Sequence, residues 1–198
     1  DPYLANWQGG LKKTLAPDAW SLSTGSASVL IAVLDTGVNA AHPDLSRRIV
    51  SGYNFVASNT NTTDDNGHGT RVAGILGAAT NNGIGIAGVT WNNPIMPVKV
   101  MDATGSGTQS TIAKGILYAA DNGAQIINLS IGGPVGSSTL KSAVDYAAGR
   151  NVVLVASAGN SNTSVEFPAA YPNVIAVAAV DASDVKASYS CFGPELSV

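Results

Sequence analysis

Three side chains of different chemistry stand where apolar runs break off. Asp35 ends the run in V-L-I-A-V-L-D-T-G (Val29 to Gly37), His68 lies in N-G-H-G-T, and Asn160 closes V-V-L-V-A-S-A-G-N. A carboxylate and an imidazole that face one another can share and pass a proton, which makes acid–base chemistry the first possibility to weigh. Each residue also has an ordinary explanation. An acid in D-T-G taken alone serves equally well as a satisfied turn residue.

What decides between these readings is where the surrounding elements put the three groups. Six apolar, mostly branched residues without alternation, Val29 to Leu34, read as a strand buried on both faces of a parallel sheet, with Asp35 at its C-terminal end. Further strands are expected at Ile49 to Val56, Ile95 to Val100, Gln125 to Leu129, Val152 to Ala156 and Val174 to Val180, with helices at Ser110 to Asn122 and Ser138 to Arg150. Strand and helix alternating at this spacing predict an α/β fold, a mostly parallel central sheet with helices on both faces. Gly67 to Thr70 runs into R-V-A-G-I-L-G-A-A, whose apolar spacing is helical, so His68 opens a buried helix. Asp35, Ser130 to Gly133 and Ala158 to Asn160 then all follow strands and converge on one sheet edge, where such folds bind ligands. Residues 1 to 28 read as turn-rich with a short helix at Ala16 to Ser23, and Ser58 to Asn66 as a polar surface loop.

Composition narrows the classes. The chain has 198 residues, 45% hydrophobic, 12% charged and 22 glycines, enough for one well-buried core with tight turns. A net charge of −3 without any Lys/Arg block marks no nucleic-acid or anionic-membrane surface. The single cysteine, Cys191, excludes an internal disulfide, and no apolar window is long enough to cross a membrane. The N-terminal D-P-Y-L-A-N-W lacks the basic and apolar regions of a signal peptide, so an exported protein would be a processed chain.

The stretches V-L-D-T-G-V with H-P-D-L, N-G-H-G-T with V-A-G, V-K-V-M-D-A-T-G-S-G-T, I-I-N-L-S-I-G-G, V-V-L-V-A-S-A-G-N and F-P-A-A-Y-P-N-V-I-A-V-A-A-V occur here in one order. Over essentially its whole length the chain resembles the subtilisins, serine proteases of the subtilase family, and most closely their thermitase-like branch. The resemblance implies a secreted endopeptidase acting on protein or peptide substrate, with His68 as general base, Asp35 as its orienting acid and Asn160 donating to the oxyanion. It also implies that Gly105, Ser106 and Gly107, with Ser130, Ile131 and Gly132, hold the substrate backbone as an added strand. Ala158 and Gly159 would line the pocket for the residue preceding the cut, with room for a sizeable apolar side chain. Ordinary turn formation is the alternative for these glycines.

The family's nucleophile is a serine in a G-T-S-M-A-type motif beyond the oxyanion asparagine, and no Gly-Thr-Ser occurs in this sequence. Gly107-Thr108-Gln109-Ser110 belongs to the substrate-strand region, and neither Ser190 nor Cys191 begins a predicted helix. The expectation is therefore the N-terminal portion of one peptidase domain, 1–198, lacking the serine-bearing helix and leaving part of its sheet exposed. A second chain supplying the serine segment is one way to complete it. The contrasting reading is a catalytically inactive subtilisin-like module that only binds.

The resemblance further implies a tight Ca²⁺ held by carboxylates of Asp1 and Asp44, the side-chain oxygen of Asn82 and the carbonyls of Ala79, Ile84 and Ile86, an all-oxygen set of the kind Ca²⁺ prefers. A solvated loop beside unrelated acids is the alternative. The branch's second calcium loop corresponds to Asn54, Ala57, Asn59, Asn61 and Thr63, which carry no carboxylate. Asn61-Thr62-Thr63 and Asn162-Thr163-Ser164 are glycosylation sequons, relevant only in a eukaryotic source.

Overall fold

The computed structural model describes all residues 1–198. Its centre is a six-stranded, wholly parallel sheet formed by β1 (Ile31–Asp35), β2 (Tyr53–Asn54), β3 (Ile95–Lys99), β4 (Ile126–Leu129), β5 (Val153–Ser157) and β6 (Val174–Val177), in the order β2-β3-β1-β4-β5-β6. Three short helices precede it, α1 (Leu4–Trp7), α2 (Gly9–Lys13) and α3 (Ala16–Ala19); α4 (His68–Gly77), α5 (Gln109–Asp121) and α6 (Ser138–Ala148) pack on it. The expected parallel α/β sheet is thus observed.

Continuous apolar runs became the central strands. All five residues of β1 and all five of β3 are buried, and they pair in register from Ile31 with Ile95 to Asp35 with Lys99. Alternate residues serve two cores. Ala32, Leu34, Met96, Val98, Ile127, Leu129, Leu154 and Ala156 face α5 and α6, whereas Val33 and Ile95 pack with Val38, Leu45 and Ala73 on the α4 side. Thr108 caps α5 and Ser137 caps α6 by accepting from backbone N–H groups three residues on.

On the α4 side, cover stops short of the last strands. Val153 and Ile175 are 46% and 41% exposed while their neighbours Leu154, Val174 and Ala176 are buried. The expected uncovered sheet surface therefore lies over β5 and β6.

Several local expectations are corrected. The helix expected at Ala16 to Ser23 ends at Ala19, and α1 and α2 occupy the segment read as turn-rich. The latter is held from outside itself: Gln8 donates to the Ala87 carbonyl at 2.6 Å and accepts from the Ala87 N–H at 2.7 Å. The strand expected over Ile49 to Val56 shrinks to two residues of β2, since only Tyr53 and Asn54 pair continuously with β3. The loop Ser58 to Asn66 is not uniformly solvated, because Asp64 and Asp65 at its end are built into the site.

Candidate active site

β1 delivers Asp35, fully buried, to the C-terminal edge of the sheet, and α4 begins at His68 opposite it. His68 Nδ1 lies 2.7 Å from Asp35 Oδ1, an atom that also accepts the Thr36 N–H at 2.7 Å. With a proton on Nδ1 donated to the carboxylate, the other ring nitrogen is left as a base. Nε2 makes no hydrogen bond to any residue of the chain, and the His68 side chain is 43% exposed. Burial pushes the Asp35 carboxyl up, outweighing the lowering by His68 and the Thr36 N–H. Its Oδ2 is buried without a partner. The aspartate is thus a desolvated anion whose main interaction is with one imidazole.

The pair is held in place by Gly69, Asp64 and Lys99. A Cβ on Gly69 would run into the Gly37 carbonyl and stand 3.0 Å from Asp35 Cβ, so only glycine permits this approach of α4 to β1. Asp64 accepts from the N–H groups of Asn66, Gly67 and Thr70 at 3.1, 2.8 and 2.9 Å and from the hydroxyls of Thr36 and Thr70. Burial would raise its carboxyl, but the hydrogen bonds from Thr70, Gly67 and Asn66 prevail and hold it well below the ordinary aspartate range. It therefore fixes the first turn of α4, and with it His68, against the turn after Asp35. Lys99, almost fully buried, adds a second tie by donating to the carbonyls of Thr36 and Met101 and to Asp65 at 2.7 Å. The signal for Asp64 was an acid just ahead of a helix start, submerged in a polar string.

His68 opens onto a cleft of about 580 Å³ whose opposite walls are Gly105 to Gly107 and Ser130 to Gly133. The carbonyl of Gly105, both backbone groups of Gly107, and both backbone groups of Ser130 and of Gly132 make no hydrogen bond within the chain. They offer unpaired groups to an extended peptide laid between the walls. Gly105 and Ser106 are shaped by Asp102, whose carbonyl and carboxylate accept their N–H groups. Ala158, Gly159 and Asn160 line an adjoining recess that shares Ser130 with the cleft. The exposed Asn160 carboxamide makes no hydrogen bond, so its N–H donors are free.

A carboxylate borders the expected apolar pocket beside Ala158 and Gly159. The Glu166 side chain packs against Gly132 and Gly159: a Cβ on Gly159 would come within 2.5 Å of its Cδ, and one on Gly132 would strike its Oε2. Ser190 and Cys191 are removed as substitute nucleophiles, since both are fully buried. Ser190 Oγ is bound to the Ala179 N–H and Cys191 O, and the Cys191 thiol sits 3.2 Å from Ser161 Oγ.

At the N-terminal side, the Asp1 carboxylate accepts from the N–H groups of Asn81 and Asn82 at 2.8 and 3.1 Å, and the Asp44 carboxylate from Asn82 Nδ2 and the Ile86 N–H at 2.7 and 3.1 Å. Asp44 is buried, yet no lysine, arginine or histidine pairs with it. The carbonyls of Ala79, Ile84 and Ile86 accept no hydrogen bond. Two uncompensated carboxylates beside three free carbonyls fit a hard cation in chemistry. Asn82 presents its nitrogen to Asp44, and its oxygen accepts the Ile84 N–H. In the loop corresponding to the second calcium site, Asn54, Asn59 and Asn61 instead spend their oxygens on nearby N–H groups.

Residues 26–198 match the subtilase family profile. Over 199 aligned residues the sequence is 48% identical to thermitase of Thermoactinomyces vulgaris, covering all of this chain and 71% of that protein. It is equally 48% identical to a thermophilic serine proteinase of Bacillus sp. (strain AK1), covering all of this chain and 50% of that one. With subtilisin DY of Bacillus licheniformis it shares 46% over 87% of this chain and 64% of the relative. The chain thus spans from half to 71% of the length of these curated relatives. By the matched profile and by identities of this size, the chain belongs to the subtilase family.

Proposed function

We propose that residues 1–198 act as one peptidase unit, contributing the proton relay, the peptide cleft and an oxyanion donor to a serine endopeptidase. The observation that carries this reading is the 2.7 Å contact of His68 Nδ1 with buried Asp35, at the mouth of a cleft walled by unpaired backbone groups. In the reaction His68 Nε2 accepts the proton of a serine hydroxyl as that oxygen attacks the scissile carbonyl, then delivers it to the leaving amine. Asp35 keeps the proton on Nδ1 and stabilises the transient imidazolium. The Asn160 carboxamide donates to the carbonyl oxygen as it becomes negative. A module that merely bound peptides would have no use for a dyad in which an anion is buried against one imidazole.

The attacking serine is a requirement of the proposal, and no Gly-Thr-Ser is present among these residues. A fluorophosphonate probe followed by intact mass tests it on the full-length protein. Labelling of a serine, with peptide hydrolysis abolished by His68→Ala, is the expected result. A full-length protein that binds peptide in the cleft but is neither labelled nor hydrolytic would replace the enzyme reading with the binding one.

Asp1, Asp44, Asn82 and the carbonyls of Ala79, Ile84 and Ile86 would hold Ca²⁺. The ion would neutralise the two carboxylates and tie the N-terminus to the loop after α4. We place the protein's work outside the cell, following the family resemblance; no helix is long and apolar enough to cross a membrane.

A further inference from the structure

We propose that Glu166 makes the pocket for the side chain preceding the cut select lysine or arginine. This deepens the peptidase reading and rests on it for the identity of the pocket. The backbone at Glu166 is tied to the Ala158 recess and to the Ser130 to Gly133 wall of the cleft. Its N–H donates to the Ala158 carbonyl at 2.8 Å, and Phe167, next in sequence, exchanges two backbone hydrogen bonds with Gly133 at 3.0 and 2.9 Å. The side chain emerges from this clamped backbone against Gly132 and Gly159, the two positions where any Cβ would collide with it.

Its hydrogen bonding is one-sided. Oε1 accepts from the Ser161 hydroxyl at 2.7 Å, whereas Oε2 makes no hydrogen bond within the chain and is not sealed from solvent. No lysine or arginine lies within ion-pairing distance. Lys186, the cation on the neighbouring loop, spends its ammonium on Asn162 Oδ1 and the carbonyls of Ala187 and Ser190. A carboxylate oxygen without a counter-ion is thus presented between Gly132 of the cleft wall and Gly159 of the adjoining recess.

A cationic side chain entering there meets a charge-assisted acceptor, and a guanidinium can engage it through its fork of N–H donors. An apolar side chain would strip water from the same oxygen and return nothing. Selection therefore acts twice, by attraction of the basic residue and by exclusion of the apolar one. Gly132 and Gly159 have a role in this arrangement beyond turning the chain, since they leave the space the carboxylate occupies.

The test uses full-length protein and quenched peptides identical except for Arg, Lys, Leu or Phe before the cut, with wild type compared to Glu166→Gln. That substitution keeps an oxygen for Ser161, and matching melting curves establish that the fold is unchanged. The expected result is kcat/KM higher for Arg and Lys than for Leu and Phe by about tenfold or more, as befits a hydrogen bond to a charged group, with the difference collapsing in Glu166→Gln. A wild type that prefers Leu or Phe, or a preference for Arg that survives Glu166→Gln, overturns the assignment. If no peptide is cleaved, the peptidase reading is what fails. Calorimetric binding of product-like peptides ending in Arg or Leu then still judges the pocket: tighter binding of the Arg peptide, dependent on Glu166, supports it, and equal affinities refute it.

Discussion

Replacing Asp64 should loosen the site from a residue that touches neither substrate nor His68. Its carboxylate accepts five hydrogen bonds, from the N–H groups of Asn66, Gly67 and Thr70 and the hydroxyls of Thr36 and Thr70. In Asp64→Ala the first turn of α4 loses its acceptor, worth about 0.5–2 kcal/mol for a helix cap. At least one bond to a charged acceptor is also lost without water to replace it, a further ~1.5–3 kcal/mol. Because Asp64 is only half-buried, the sum is taken at about 2–4 kcal/mol. Asp64→Asn should be no milder, since its amide nitrogen would face the Thr70 donors or, flipped, those of Gly67 and Thr36. The native carboxyl binds its proton less tightly than the unfolded chain does, so its contribution is complete above the unfolded aspartate pKa of about 4 and drains away as the pH falls towards its lower native value. Urea unfolding at pH 7 and pH 3, with amide exchange at Gly67 to Thr70, measures both effects. The penalty should shrink by up to about 1 kcal/mol at pH 3, and exchange at the four amides should accelerate in both variants. A penalty under 1 kcal/mol at pH 7, or one independent of pH, would refute this account of how His68 is held.

Other consequences concern the dyad and the calcium loop. Asp35 has its native pKa raised, so its carboxyl favours folding below the ordinary aspartate range and that contribution is lost as the pH rises through the native value. Asp35→Asn should therefore gain in stability relative to wild type between pH 4 and pH 7 in thermal melts, while kcat on a peptide falls by about 10⁴-fold. Gly69→Ala, which drives a methyl into the Gly37 carbonyl and towards Asp35, should cost about 1–3 kcal/mol in chemical unfolding and separate His68 from Asp35. Chelation should lower the melting temperature if Ca²⁺ sits beside Asp44. Restoring free Ca²⁺ to a hundred times its Kd should return about 2.7 kcal/mol, an effect absent in Asp44→Asn.

What the sequence made legible follows from how local each signal was. β1 announced itself as an unbroken, mostly branched run because burial on both faces leaves no room for alternation, and β3 is apolar from Ile95 to Val98 before ending in Lys99. The periodic apolar spacing of α5 and α6 carried their positions to within two residues. Asp35 and His68 were readable because each sits at an element terminus, and elements in sheet order bring such termini together. α1 and α2 were hidden, since their few residues are held by Gln8 reaching Ala87 and not by a pattern of their own. Asp64 and Glu166 were hidden for a different reason. Nothing distinguishes Asp64 within T-T-D-D-N until Thr36 and Thr70 are seen around it, and Glu166 lies in a loop whose meaning comes from Gly132, far away in the chain. The small residues Ala158 and Gly159 likewise make space without revealing that Glu166 borders it.

The central claim is that a buried carboxylate holds His68 with its proton on Nδ1 and Nε2 open to a hydroxyl. Nitrogen-15 NMR of the imidazole tests it most directly, at a pH where the ring is neutral. The account predicts a protonated Nδ1 coupled to a strongly deshielded, slowly exchanging proton that disappears in Asp35→Ala, and an unprotonated Nε2. A ring protonated on Nε2, or one whose Nδ1 proton is unaffected by removing Asp35, would contradict it.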